Sequence, residues 1–196
     1  VPSLDTAVEA LRDGLVVAIP TDTVYGVAVD PFIPGATSRL FEAKRRPRDV
    51  RLPVLVEGVE QAERLVEIDD RARTLMARFW PGGLTIILRR LSGVDIVLGD
   101  DTGGPTVGVR CPDHAVPRQL CTEVGPLATT SANIHGQATP PTAEEVRAQF
   151  GDALAVVVDG GRCEGSPSTV VDCTATRPAL VREGTVPWSD VLGVAG

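Results

Sequence analysis

Short unbroken apolar runs, among them LVVAI, GVAV, LPVLV and LTIIL, recur along this chain between stretches whose apolar residues fall at helical spacing. A run of about four to eight apolar residues bounded by turn residues reads as a buried strand, and spacing of i, i+3, i+4, i+7 reads as an amphipathic helix. The first helix is expected in SLDTAVEALRDG, with Leu4, Val8 and Leu11 inward, Thr6 and Glu9 in capping-box register, and Gly14 as its stop. Further helices are expected in ATSRLFEAKRR, with Leu40 and Ala43 inward, in RARTLMARFW, with Ala72, Leu75, Met76 and Phe79 inward, and in TAEEVRAQFG, capped by Thr142 with Glu145 three residues on. TVGVR, PLATT, ALAVVVD, STVVD and ALVR supply further strands. Helices and strands alternating in this way define an α/β or α+β domain built on a large mixed sheet.

At 196 residues, with no repeat, linker or low-complexity tract, the chain reads as one domain over 1–196. No run of about 18 uninterrupted apolar residues is present to span a bilayer, and no secretory leader is visible, which makes the cytoplasm the expected location. Cys111, Cys121, Cys163 and Cys173 form no C-x-x-C pair, so neither a zinc site nor a disulfide framework is expected. His114 and His135 are too few and too far from acidic partners for a Ser-His-Asp triad. The net charge of −7 argues against tight, sequence-independent nucleic-acid binding, which depends on an excess of Lys and Arg.

The polar joints between these elements carry the chemistry. TDTVYG, KRRPRDVR, TVGVR, TTSANIHGQATP, SPSTVVD and LVREG are rich in Ser, Thr, Asn, Gly and Arg, groups suited to an anionic, hydroxyl-bearing ligand. Lys44, Arg45, Arg46, Arg48 and Arg51 crowd one turn beside Pro47 and Pro53, and a triphosphate is their natural partner. A solvated helix C-terminus is the plainer reading of such a run. No G-x-x-x-x-G-K-[ST] loop or G-x-G-x-x-G turn supplies either common phosphate cradle. Arg110 ends an apolar strand, where a guanidinium usually meets a carboxylate or phosphate, while TSAN taken alone suits a turn equally well. Asp22, Asp159 and Asp172 could be ligands for a metal that rides on a nucleotide, but single carboxylates at strand ends are more often turn or cap residues, and no protein-held metal is expected. Tyr25 offers a flat face and a hydroxyl for shaping a pocket.

In order along residues 20–184, PTDTVYG, the K-x-R-P of Lys44, Arg46 and Pro47, WPGGLTIIL, TVGVRCP, TTSAN, PSTVVD and LVREG resemble the YrdC-like threonylcarbamoyl-AMP synthases. The resemblance implies a twisted mixed sheet with a concave ligand-binding face, flanked by helices. It also implies an enzyme that joins L-threonine, bicarbonate or carbon dioxide, and ATP into threonylcarbamoyl-AMP and pyrophosphate for tRNA modification, a nucleotidyltransferase. Carried over by position, Lys44 and Arg46 are the implied catalytic residues. Thr23, Tyr25, Arg110, Thr129 and Ser168 are the implied threonine contacts, and Arg46, Thr106, Ser131, Asn133, Thr139 and Arg182 the implied nucleotide contacts. Magnesium is expected to arrive with ATP, downstream threonylcarbamoyl-transfer proteins to accept the product, and any tRNA contact to be transient. Val50, Leu55 and His135 stand where many relatives carry a polar group, a histidine and a serine. The chain resembles the short, single-domain form. Alternatives are a non-synthase relative that binds or hydrolyses adenylates, and an RNA-binding module built on the basic run.

Overall fold

The computed structural model describes residues 3–45, 51–99 and 104–195. Its elements, in order, are α1 (Leu4–Arg12), β1 (Val17–Ile19), β2 (Gly26–Val29), α2 (Ala36–Lys44), β3 (Val54–Leu55), α3 (Val59–Ala62), α4 (Asp70–Phe79), β4 (Leu84–Arg89), β5 (Thr106–Arg110), α5 (Ala115–Val124), β6 (Leu127–Ser131), α6 (Ala143–Phe150), β7 (Val156–Val157), β8 (Thr169–Asp172), β9 (Ala179–Arg182) and α7 (Trp188–Ala195). Every apolar run read as a strand contributes one, and all nine join a single sheet in the order β7-β1-β2-β6-β3-β5-β4-β8-β9.

The sheet is mixed. β1 pairs antiparallel with β2 across the TDTVYG turn and parallel with β7 on its other side. β6 is laid antiparallel between β2 and β3, and β3 runs parallel to β5. β4 lies antiparallel to β5 and parallel to β8, and β9 closes that edge antiparallel to β8. The centre is thus assembled from segments far apart in sequence. Among the described residues no helix is long and apolar enough to cross a membrane.

Side chains alternate between the two faces of a strand, and here the two faces have different fates. On one, Val27, Val29, Val54, Ile86, Leu88, Val107 and Val109 pack with Leu40 and Phe41 of α2, Leu75 and Met76 of α4, Val146 of α6 and Val191 of α7. Burying each such large side chain contributes about 1.5–3 kcal/mol before chain entropy is charged against it. On the other, Val17, Ile19, Ala28, Leu55 and Leu127 meet Val8 and Leu11 of α1 and Leu120 and Cys121 of α5. The same face carries Thr85, Ile87, Gly108 and Arg110 of β4 and β5, and there it opens into a hollow.

The helix ends show why these segments are helical. Ser3, rather than Thr6, caps α1: its hydroxyl accepts the Thr6 N–H at 3.3 Å, one turn earlier than the expected capping box. Thr142 caps α6 as expected, accepting from the Glu145 N–H at 3.3 Å. Asp69 caps α4 through the Ala72 N–H at 2.7 Å.

Candidate ligand cavity

The hollow measures about 700 Å³, a size suited to a small-molecule or cofactor ligand. Its floor is the uncovered part of the sheet. Thr106, Gly108 and Arg110 project from alternate positions of β5, with Thr85 and Ile87 from β4 and Thr129 and Ser131 from β6. Thr23 and Val24 of the TDTVYG turn, Pro167 and Ser168, and Val181 and Arg182 of β9 form the walls. Three arginines line the cavity, Arg51, Arg110 and Arg182, and among the described residues no carboxylate does.

Arg110 is almost fully buried and held at three points. Its Nε donates to Gly82 O at 3.0 Å, Nη1 to Thr23 Oγ1 at 3.0 Å and Nη2 to Asp22 Oδ1 at 2.6 Å. A guanidinium has five N–H groups, so two remain with no protein acceptor among the described residues. Burial pulls its pKa down from the ordinary arginine value, Asp22 opposes that pull, and Arg182 adds to it. Two cations facing one hollow therefore favour an anionic occupant.

The hydroxyls beside Arg110 have a fixed direction. Thr21 Oγ1 donates its single proton to Val24 O at 2.7 Å and accepts from the Thr23 N–H at 3.1 Å. In the 2.9 Å contact between the two hydroxyls, Thr23 must then be the donor. Thr23 Oγ1, its proton spent and one lone pair occupied by Arg110, offers a ligand only an acceptor. An acceptor next to spare guanidinium donors matches a group carrying an amine beside a carboxylate.

At the other wall, Arg182 donates through Nε at 3.2 Å and Nη2 at 2.9 Å to Ser168 O, and through Nη2 to Ser168 Oγ at 3.3 Å. Ser168 Oγ in turn lies 2.9 Å from Thr85 Oγ1. Burial lowers the Arg182 pKa too. Thr106 and Thr139 present hydroxyls to the cavity that no protein group engages among the described residues. Thr129 Oγ1, also lining it, donates to Leu127 O at 3.1 Å.

Several expected site residues stand differently from one another. Thr23, Thr106, Arg110, Thr129, Ser131, Asn133, Thr139, Ser168 and Arg182 all line this one cavity. Tyr25 borders it, but its hydroxyl turns to the loop behind, donating to Gly161 O at 2.7 Å and accepting from the Gly160 N–H at 3.2 Å. Burial raises its pKa, which keeps the phenol a donor. Lys44 is not among the lining residues. It is buried behind Ser131 and Asn133, where its ammonium donates to Ser131 O, to Asn133 O at 2.6 Å and to Asn133 Oδ1 at 3.3 Å. The Ser131 hydroxyl donates to the same Asn133 Oδ1. Arg46 and Val50 lie outside the described residues. Leu55 lines the cavity, whereas His135 does not and meets Lys44 through its backbone, N–H to O at 3.0 Å.

Sequence reasoning left Thr85, Gly108, Val170, Val181 and the Asp22 anchor outside the site, and placed Arg51 only in a basic run. A threonine inside the apolar run LTIIL was the legible signal for Thr85, because a polar side chain there needs a reason to face inward. Among the described residues no cluster of three or more His, Cys, Asp or Glu side chains could hold a metal ion.

A mixed sheet whose open face gathers arginines and hydroxyls defines an α/β protein with a cationic, hydroxyl-lined cavity of small-molecule size. Residues 9–184 match the Sua5/YciO/YrdC family model, described as telomere recombination. The chain belongs to this family. It is 42% identical over 97% of its length to a putative threonylcarbamoyl-AMP synthase of Mycobacterium tuberculosis, of which it spans 88%. Among solved structures it is similar to Pyrococcus abyssi Sua5 complexed with L-threonine, with TM-score 0.92 and 38% identity over 98% of this chain, and it spans 57% of that longer chain. Escherichia coli YciO superposes with TM-score 0.84 at 26% identity, covering 94% of this chain and 90% of its own.

Proposed function

We propose that this protein is a nucleotidyltransferase that makes L-threonylcarbamoyl-AMP and pyrophosphate from L-threonine, bicarbonate or carbon dioxide, and magnesium-bound ATP. One observation carries the reading: three arginines and a set of hydroxyls, with no carboxylate among the described lining residues, converge on one hollow. The similarity to threonylcarbamoyl-AMP synthases supplies the reaction.

The amino acid occupies the Arg110 end. The two spare guanidinium N–H groups clamp its carboxylate, and Thr23 Oγ1 accepts from its nitrogen, with Thr129 and Ser168 alongside. The nucleotide lies along Thr106, Ser131, Asn133, Thr139 and Arg182. Lys44 acts as a positioning residue through Ser131 and Asn133, and Arg46 is assigned to the phosphates by its place in the K-x-R-P motif. Threonine's amine and carbon dioxide form a carbamate. A carbamate oxygen bonds to the α-phosphorus as the bond from that phosphorus to the bridging oxygen of pyrophosphate breaks. The carbamate is its own nucleophile, so the protein's task is to align it and offset charge on the departing pyrophosphate, which needs no histidine. Magnesium enters as part of the ATP substrate, held by its phosphates. The product passes, in the cytoplasm, to proteins that transfer the threonylcarbamoyl group to a tRNA adenosine, and contact with tRNA itself is transient.

The test is pyrophosphate release from the purified protein with each of ATP, magnesium, bicarbonate and L-threonine omitted in turn. Release is expected only with all four present. Release indifferent to threonine overturns the reading.

A further inference from the structure

Gly108 is a glycine that the fold itself does not ask for. It sits in the middle of β5, paired with Ile87 of β4, and its φ is not in the left-handed region. A Cβ built there meets Thr85 Cγ2 at 3.4 Å, Ile87 Cγ1 at 3.6 Å and Pro53 Cβ at 3.7 Å, ordinary van der Waals contacts. Gly26, the other glycine lining the cavity among the described residues, is more tightly packed: a Cβ there would lie 3.0 Å from Thr129 Cγ2 and 3.4 Å from Thr130 O. A glycine inside a strand weakens it, and one that neither backbone nor neighbours require marks a place where a ligand approaches the main chain.

The space that side chain would fill belongs to the cavity floor. Thr106 and Arg110 flank Gly108 at two residues' distance on the same face, which is about 6.7 Å along the strand in each direction. From these observations, and resting on the function proposed above, we infer that the Gly108 backbone positions the reacting groups. The carbamoyl linkage joining the amino acid held by Arg110 to the nucleotide held beside Thr106 lies directly on its backbone. The missing side chain leaves the floor low at the one point where the two halves must meet in line.

Gly108→Val tests this, since valine suits a strand better than glycine. The variant is expected to melt at or above the wild-type temperature and to bind L-threonine alone with a Kd within about threefold of wild type. Its kcat for four-component pyrophosphate release is expected to fall about a hundredfold, the cost of displacing reacting groups by about an ångström. A folded variant with kcat within about threefold of wild type overturns the inference and leaves the proposed function standing, as does loss of threonine affinity equal to the loss of kcat. If Gly108→Val does not fold, the wild-type protein decides by amide chemical shifts. On adding L-threonine with a non-hydrolysable ATP analogue, a Gly108 shift as large as that of Arg110 supports the inference, and an unmoved Gly108 overturns it. A wild-type protein with no threonine-dependent release removes the proposed function and this inference with it.

Discussion

Arg110 shows how a residue read from sequence acquires a role through residues that were not. Its guanidinium faces the cavity in one orientation because Gly82, Thr23 and Asp22 each hold a different nitrogen. Asp22→Asn keeps the shape and one acceptor but removes the charge at 2.6 Å. A hydrogen bond to a charged group contributes about 1.5–3 kcal/mol, so the KM for L-threonine is expected to rise by about tenfold or more while the KM for ATP changes little. Steady-state kinetics with each substrate varied in turn checks the split. Lys44 sits the other way round, prominent in sequence but buried behind the wall. Lys44→Met leaves the carbonyls of Ser131 and Asn133 without that donor, at a cost of about 1–3 kcal/mol each where no water replaces it. Denaturant unfolding is expected to show the loss, together with lower turnover from a loosened Ser131–Asn133 segment. Motifs made Arg110, Ser131 and Arg182 visible because each ends an apolar strand or opens a loop. Asp22 and Thr85 stayed hidden because their importance lies in partners 88 and 83 residues away.

At the level of elements, the strands were legible and their order was not. Each strand buried on both faces announces itself as an apolar run, and every strand among the described residues falls in a run read as one. The placement of β6 between β2 and β3 depends on pairing across roughly half the chain, which no local pattern encodes. α5 was unread because Pro112 and Pro117 make CPDHAVPRQL look like a joint. Pro117 falls in the first turn, where its missing N–H costs nothing, and His114 caps the helix through the Val116 N–H at 3.2 Å. Tyr25 ties the TDTVYG turn to the loop following β7, using both the donor and the acceptor of its hydroxyl. Tyr25→Phe keeps the ring in the core but leaves the Gly160 N–H and Gly161 C=O unpaired. Faster hydrogen exchange at Gly160 and Gly161 is expected, with a stability loss of about 1–2 kcal/mol by denaturant titration. Unchanged exchange there would show that the turn and loop hold each other by packing alone.

For the molecule as a whole, the net charge is −7, while among the described residues three arginines line one hollow. Such a distribution repels a polyanion from most of the surface yet draws a small anion into the low-dielectric floor, where charge is screened least. It suits a small-anion site rather than an RNA-binding module, which needs its cations spread along an exposed face. Ligands that bind only the folded state stabilise it by RT ln(1 + [L]/Kd), about 2.7 kcal/mol at a hundredfold excess over Kd. In a domain of this size each kcal/mol moves the midpoint by about 2–4 °C, so magnesium-ATP with L-threonine is expected to raise Tm by about 5–11 °C. L-Valine in place of threonine should give a smaller shift, because it brings no hydroxyl to the threonine-lined wall. A single-stranded RNA of matched phosphate concentration should give almost none at physiological salt. Thermal melts across these ligands make the comparison directly, and an RNA-induced shift exceeding that of ATP with threonine would assign the cationic hollow to a nucleic-acid backbone instead.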